Sequence, residues 1–368
     1  MAREILTVTT GWKRTFSIYW KDYQELFLKL LEGFDIHARH LDLLAQHEQA
    51  QHVQDTSSQL TDHFLQYQGD REEFRRFLCR YEDDRNRVLD EAAKQEEERK
   101  HEHYSKVQRW LSHPGEDEQA YQDRWRTERE KFPGTASWIL ESSQVKDWMD
   151  KEEPVSILWV YGKKGAGKTI LTSRIIDHLR DEKTESTTSF FYCREDDLNE
   201  SGKCMSLYKS LLRQLVEQKR HLLPLYYDKK LKGQEILNNE ETARSLLKLC
   251  FDGEGAHFIV IDGLDDFCAG DRTNAVKFIH SIVDNSDNKR RTVGKIRVLF
   301  MSQDLKEMRT LLPAAETLEI QPSDVGPDIR TLVTKQTELL TSKYRLTADQ
   351  SQRVIKMTVA GARGTFSR

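Results

Sequence analysis

Gly162-Lys163-Lys164-Gly165-Ala166-Gly167-Lys168-Thr169 is the stretch on which the fold turns. It reads G-x-x-x-x-G-K-T, the pattern of a phosphate-binding P-loop. Ile157-Leu158-Trp159-Val160-Tyr161 runs into it, a short apolar and aromatic run of the kind that forms a buried strand. Ile170, Leu171, Ile175, Ile176 and Leu179 follow at helical spacing, which puts the loop between a strand and a helix. The residue types suit that chemistry. Glycines let the backbone wrap a phosphate with no Cβ in the way, and the N–H groups of the loop and the helix N-terminus point at the anion. In this reading Gly162, Lys163, Lys164, Gly165, Ala166, Gly167, Lys168, Thr169 and Ile170 surround the phosphates, with Lys168 on the β- and γ-phosphates and the Thr169 hydroxyl on Mg²⁺.

Downstream, the pattern alternates between strands and helices. Thr188-Ser189-Phe190-Phe191-Tyr192-Cys193 reads as a second strand, His257-Phe258-Ile259-Val260-Ile261-Asp262 as a third and Ile296-Arg297-Val298-Leu299-Phe300-Met301 as a fourth. Helices are expected around Leu207 to Val216, limited by Pro224, around Ala243 to Cys250 and around Ala275 to Val283, while Leu225 to Asn239 reads as polar and irregular. Such alternation implies an α/β fold with a doubly wound, mostly parallel sheet, preceded by an all-α N-terminal region. Asp262 falls at the C-terminal end of the most apolar strand, where a P-loop protein places a carboxylate for Mg²⁺. Asp265 and Asp266 follow at the same sheet edge, and three acids so close repel unless a cation sits among them. Ser302 and Gln303 end the fourth strand, where a polar side chain can sense a γ-phosphate.

The first third is helical and carries no chemistry of its own. Phe16, Trp20, Tyr23, Phe27 and Leu30 line one face, and a second helix is expected from about Asp35 to Tyr67. A third, long and charged, begins near Arg71 and ends before Ser112-His113-Pro114-Gly115. Residues 116–153 lead into the nucleotide region through Phe132-Pro133-Gly134-Thr135-Ala136-Ser137-Trp138-Ile139-Leu140. The net charge of -4 is nearly balanced for 368 residues, so no nucleic-acid or membrane partner is called for. The basic cluster at Lys289-Arg290-Arg291 reads as a solvated loop. Five scattered cysteines without a C-x-x-C pair fit a reducing compartment. With no signal peptide and no apolar run long enough to span a bilayer, a cytoplasmic location is expected.

From about Gly134 onward the chain resembles the NACHT-type STAND P-loop NTPases numerous in filamentous fungi. The resemblance is carried by the Gly134-to-Leu140 lead-in, the Gly162-to-Thr169 Walker A, Phe190-Phe191-Tyr192-Cys193 and the Walker B run Asp262-Gly263-Leu264-Asp265-Asp266. Leu318-Glu319-Ile320-Gln321-Pro322 with Asp328-Ile329 resembles the start of that family's small helical subdomain. It implies an N-terminal helical domain over 1–115, an NTPase domain over 154–320 and an incomplete helical subdomain over 321–368. Three departures stand out. Asp266 replaces a commoner Glu. Gln303 stands where the family usually has Arg, losing a charge-assisted contact of about 1.5 to 3 kcal/mol at the γ-phosphate. The chain stops near Phe366, where the family continues into a winged helix and repeats, which reads as a fragment, a truncated gene product or a short paralogue.

The resemblance implies a nucleotide switch that takes ATP or ADP, or the guanine nucleotides GTP or GDP, with Mg²⁺. Hydrolysis would be slow, with Asp262 completing the Mg²⁺ shell and Asp265 or Asp266 positioning water. It further implies nucleotide-driven self-association, a protein partner for the N-terminal helices, and a role in non-self recognition or regulated cell death. Two other classes stay open: a non-enzymatic helical scaffold with a vestigial nucleotide site, and a P-loop small-molecule kinase.

Overall fold

In a computed structural model, residues 71–112, 117–150, 153–182, 185–194, 203–231, 235–252, 255–290 and 295–366 are described. The expected helices at Trp12 to Leu31 and Asp35 to Tyr67, the acidic stretch after Arg194 and Arg291 of the basic cluster lie outside them. The chain divides into two compact units at Gln95/Glu96. Within the first, the described part of helix α1 (Arg71–Trp110) leaves Tyr81 and Val88 exposed. The rest belongs to the second unit.

Its centre is a sheet of five parallel strands in the order β2-β3-β4-β1-β5. These are β1 (Ile157–Tyr161), β2 (Thr187–Tyr192), β3 (His257–Asp262), β4 (Ile296–Ser302) and β5 (Glu316–Glu319). Every residue of the first four is buried, as continuous apolar runs demand when helices cover both faces of a parallel sheet. Alternation sorts the side chains. Ile157, Trp159 and Tyr161 of β1 face one core layer, while Leu158 and Val160 face the other.

The first layer is closed by α6 (Lys203–Gln218), α7 (Leu223–Leu231), α8 (Glu240–Asp252), α9 (Ala269–Arg290) and α10 (Lys306–Leu311). Val107, Trp110 and Leu111, from the end of α1 and just beyond, join the same layer. The second layer holds the apolar faces of α3 (Trp138–Glu141), α4 (Ser143–Met149), α5 (Lys168–Glu182) and α11 (Pro322–Tyr344). Helices α2 (Glu118–Glu130) and α12 (Ala348–Ala362) contribute partly buried residues at its margin. The α/β doubly wound class expected from the sequence is the observed one, with all five strands parallel.

One local expectation needs correction. Leu225 to Asn239 is not irregular throughout, because Pro224 sits near the start of α7, where its missing N–H is harmless. The lead-in folds as two short helices, broken at Ser142, whose hydroxyl caps the second by accepting from Val145 N at 3.3 Å. Leu318-Glu319 ends the edge strand β5, and α11 follows from Pro322.

Side chains finish the edge at β2. Gln214 Oε1 accepts from Phe190 N at 3.0 Å and its Nε2 donates to Phe190 O at 2.6 Å. Gln218 does the same for Thr188, at 3.0 and 2.9 Å. Glu118 takes Tyr192 N at 2.9 Å. At the opposite end of the strands Arg297, 1% exposed, donates to the carbonyls of Trp148, Val155 and Glu153 at 2.9, 2.6 and 2.8 Å. That guanidinium ties the lead-in helices to the sheet that carries the P-loop.

Candidate functional site

β1 delivers the chain to Gly162, whose N–H donates to Ser302 O at 3.2 Å. A Cβ on Gly162 would stand 3.0 Å from Ile320 Cβ, so the loop leaves the sheet through a tight gap. Gly165 and Gly167 adopt φ of +80° and +83°, left-handed conformations that turn the backbone into a concave loop. Helix α5 starts at Lys168, which aims its first N–H groups at the loop. Lys168 Nζ spans the mouth, donating to Gly162 O at 3.1 Å and Lys163 O at 3.2 Å. Lys163 and Lys164 are exposed, Thr169 and Ile170 half-buried.

Asp262 ends β3 and is 4% exposed. Burial pushes its carboxyl up to about 6, against the Thr169 hydroxyl and the Lys168 charge, which hold it down. One carboxylate oxygen, Oδ1, is buried with no hydrogen-bond partner. A buried orphan oxygen beside a hydroxyl is the donor set a hard cation takes, and Mg²⁺ keeps water and phosphate oxygens for the rest of its shell. Thr169 and Asp262 therefore fit Mg²⁺.

The other two acids do not join them. Among the described residues no group of three His, Cys, Asp or Glu side chains forms a metal cage. Asp265 is bound by Gln303, whose backbone N–H reaches Oδ1 at 3.1 Å and whose Nε2 reaches Oδ2 at 2.6 Å. Asp266 is exposed, and its carbonyl accepts from Lys203 Nζ at 2.7 Å. Gly263, at φ +79°, makes this turn, since a Cβ there would lie 2.9 Å from Cys193 O. Ser302, fully buried, accepts from Trp159 Nε1 at 2.9 Å and donates to Gln303 O at 2.8 Å. Both side chains expected to sense a phosphate are thus engaged within the protein.

The loop opens into a cavity of about 560 Å³. Besides Gly165 to Leu171, its walls come from Phe132, Thr135 and Ala136 of the lead-in, from Arg129 and Trp125 of α2, and from Val325, Asp328 and Leu332 of α11. Asp328 joins two of these walls by accepting from Ala136 N at 2.8 Å. Helix α2 is anchored by Asp177 of α5, which accepts from Gln122 at 2.8 Å and from Arg126 and Arg129. Burial alone would raise that carboxyl, but the hydrogen bonds from Arg126, Arg129 and Gln122 hold it below the usual carboxylate range. Sequence reasoning missed α2 as a wall. Its Tyr121, Trp125 and Arg129 lie four apart on one face, the signal that was available.

A parallel sheet with a glycine loop after its β1 strand, a lysine across that loop and an aspartate at the end of β3 defines a P-loop NTPase domain. Residues 134–303 match the family Nephrocystin 3, N-terminal. Over 242 residues the chain is 23% identical to the vegetative incompatibility protein HET-E-1 of Podospora anserina, an alignment that covers 62% of this chain and 17% of that protein. The chain thus spans less than a fifth of that relative's length. Both likenesses support a NACHT-like P-loop NTPase reading of the nucleotide region. Among solved structures, the Aeropyrum pernix ORC2 protein in its ADPNP–ADP complexes superimposes with TM-score 0.35 at 14% identity, over 64% of each chain. PCH-2 of C. elegans gives 0.29 at 15% identity, over 58% of this chain and 50% of that one. These superpositions are loose, and likeness at that level says nothing of activity. Among the described residues no helix is long and apolar enough to cross a membrane.

Proposed function

We propose that the chain is a NACHT-type nucleotide switch that binds ATP or GTP with Mg²⁺, hydrolyses it slowly and signals through self-association. The carrying observation is the cavity. Three segments far apart in sequence, the lead-in, the P-loop and α11, converge on it, so a nucleotide there bridges all three and its release lets them part. In this reading the loop N–H groups and Lys168 hold the phosphates, and Thr169 and Asp262 hold Mg²⁺, which supplies charge neutralisation at the phosphate oxygens. Asp265, fixed by both donors of Gln303, is better placed to order a water than the exposed Asp266. Slow turnover follows from a site that commits Gln303 to a carboxylate rather than to phosphate. The likeness to a vegetative incompatibility protein supports a role in non-self recognition, acted out in the cytoplasm through a protein partner of the N-terminal helices.

Calorimetric titration with ADP, ATP, GDP and GTP, with and without Mg²⁺, tests this. Wild-type protein is expected to bind at least one pair with Mg²⁺ dependence, and Lys168→Ala to weaken it about tenfold to hundredfold. Equal affinity in the variant, or no binding by the wild type, would overturn the proposal.

A further inference from the structure

Beyond α12 the chain reverses. Arg363 and Gly364 take φ of +49° and +81° in succession, and Thr365 bonds back to Ala362 O through its N–H at 3.0 Å and its hydroxyl at 2.8 Å. A Cβ on Gly364 would lie 2.8 Å from Pro322 Cα at the start of α11, so glycine alone permits this return. The turn delivers Phe366 to the P-loop. Its N–H donates to Gly165 O at 2.7 Å, and its ring covers Gly167, 2.9 Å from where a Cβ would stand. The same ring lines two cavities. One is the P-loop cavity; the other, about 390 Å³, lies between α11 and α12 and is lined by Leu332, Val333, Met357 and Ala362 among others.

We infer that residues 362–366 are a lid latched to the phosphate loop: Phe366 retains a nucleotide in the P-loop cavity, and the bound nucleotide in turn holds α12 in place. The inference rests on the nucleotide reading above. Gly165 and Gly167 are the loop's most permissive residues, and the latch restrains the backbone at both. An aromatic ring over the cavity slows release by adding a step, lid opening, that must precede departure. The second cavity is where the ring can go without unwinding α12.

The test pairs two readouts on the full chain. Release of methylanthraniloyl-ADP and methylanthraniloyl-GDP, with Mg²⁺, is timed by stopped flow for wild type, Phe366→Ala, Phe366→Tyr and Gly364→Ala. Hydrogen exchange is followed across α12. Phe366→Ala and Gly364→Ala are expected to release the probe about tenfold faster with little change in association, Phe366→Tyr to behave as wild type, and nucleotide to slow α12 exchange only where the lid is intact. A Phe366→Ala chain that binds the probe and releases it at the wild-type rate overturns the lid. If the wild type binds neither probe, the nucleotide reading fails and the latch is judged in nucleotide-free protein. There Phe366→Ala must speed α12 exchange severalfold, and unchanged exchange overturns it.

Discussion

Arg297 and Asp262, buried toward opposite ends of the central sheet, are served in opposite ways. At the N-terminal ends of the strands, Arg297 has its guanidinium shared among three backbone carbonyls, and His257 sits between Thr187 Oγ1 and Lys219 Nζ, the latter 3.3 Å from Nε2. At the C-terminal ends, Asp262 keeps a buried oxygen with no partner and a carboxyl pushed up to about 6. Satisfied groups of the first kind hold the fold together. An orphan of the second kind costs stability and persists where the missing partner comes from outside the chain.

The largest effect should come from breaking the satisfied end. Arg297→Ala strips three carbonyls of a donor and leaves a cavity, so unfolding free energy from urea titration should drop by about 3 to 5 kcal/mol. Asp262→Ala, by contrast, should change it by no more than about 1 kcal/mol, because the hydrogen bond lost to Thr169 is offset by the desolvation cost of the unpartnered oxygen. Equal losses in the two variants would break the comparison.

Acid should separate the ends by sign. Burial, with Lys219 and Lys295 nearby, pushes His257 down to about 3, so between pH 6.5 and 3 the unfolded chain binds the extra proton and stability falls with pH. Asp262 is raised from 3.8 to about 6, so over that interval the native state binds the extra proton and stability rises as pH falls. Each contributes up to about 1.4 kcal/mol per pH unit. Relative to wild type, His257→Gln should lose less stability on acidification from pH 6 to 4 and Asp262→Ala should lose more, as read from urea midpoints. The same direction in both variants would contradict the assignment.

The smallest effect concerns Gln303. If its amide serves Asp265, Gln303→Ala should slow hydrolysis severalfold yet change triphosphate and diphosphate affinities by less than about twofold. Selective loss of triphosphate affinity would instead restore Gln303 to the phosphate.

What could be read from sequence follows the same division. The P-loop was legible because its glycines, lysine and threonine are fixed by backbone geometry within eight consecutive residues, and β1, β3 and β4 because burial on both faces forces continuous apolar runs. β5 was not, since an exposed edge strand with Leu318 as its one aliphatic residue carries no such pattern. The pairing of Gln303 with Asp265, the Ser302 bridge to Trp159 and the meeting of Phe366 with Gly165 join residues 38, 143 and 201 positions apart. Local periodicity holds no record of contacts at that range. Arg297 could have been flagged, as a charge near the start of an apolar strand, but nothing in sequence names the carbonyls it serves.

The glutamines on β2 carry a further consequence. Four residues of helix advance about 6 Å and two residues of strand about 6.7 Å, so Gln214 and Gln218, one turn apart, meet Phe190 and Thr188 in step. Helix α6 thereby stands in for a neighbouring antiparallel strand, and with Glu118 on Tyr192 it uses up the outward donors of that edge. Growth of the sheet across β2, whether by a second copy or by a misfolded one, finds the outward N–H groups already taken. An assembly built by extending the sheet would have to use another edge.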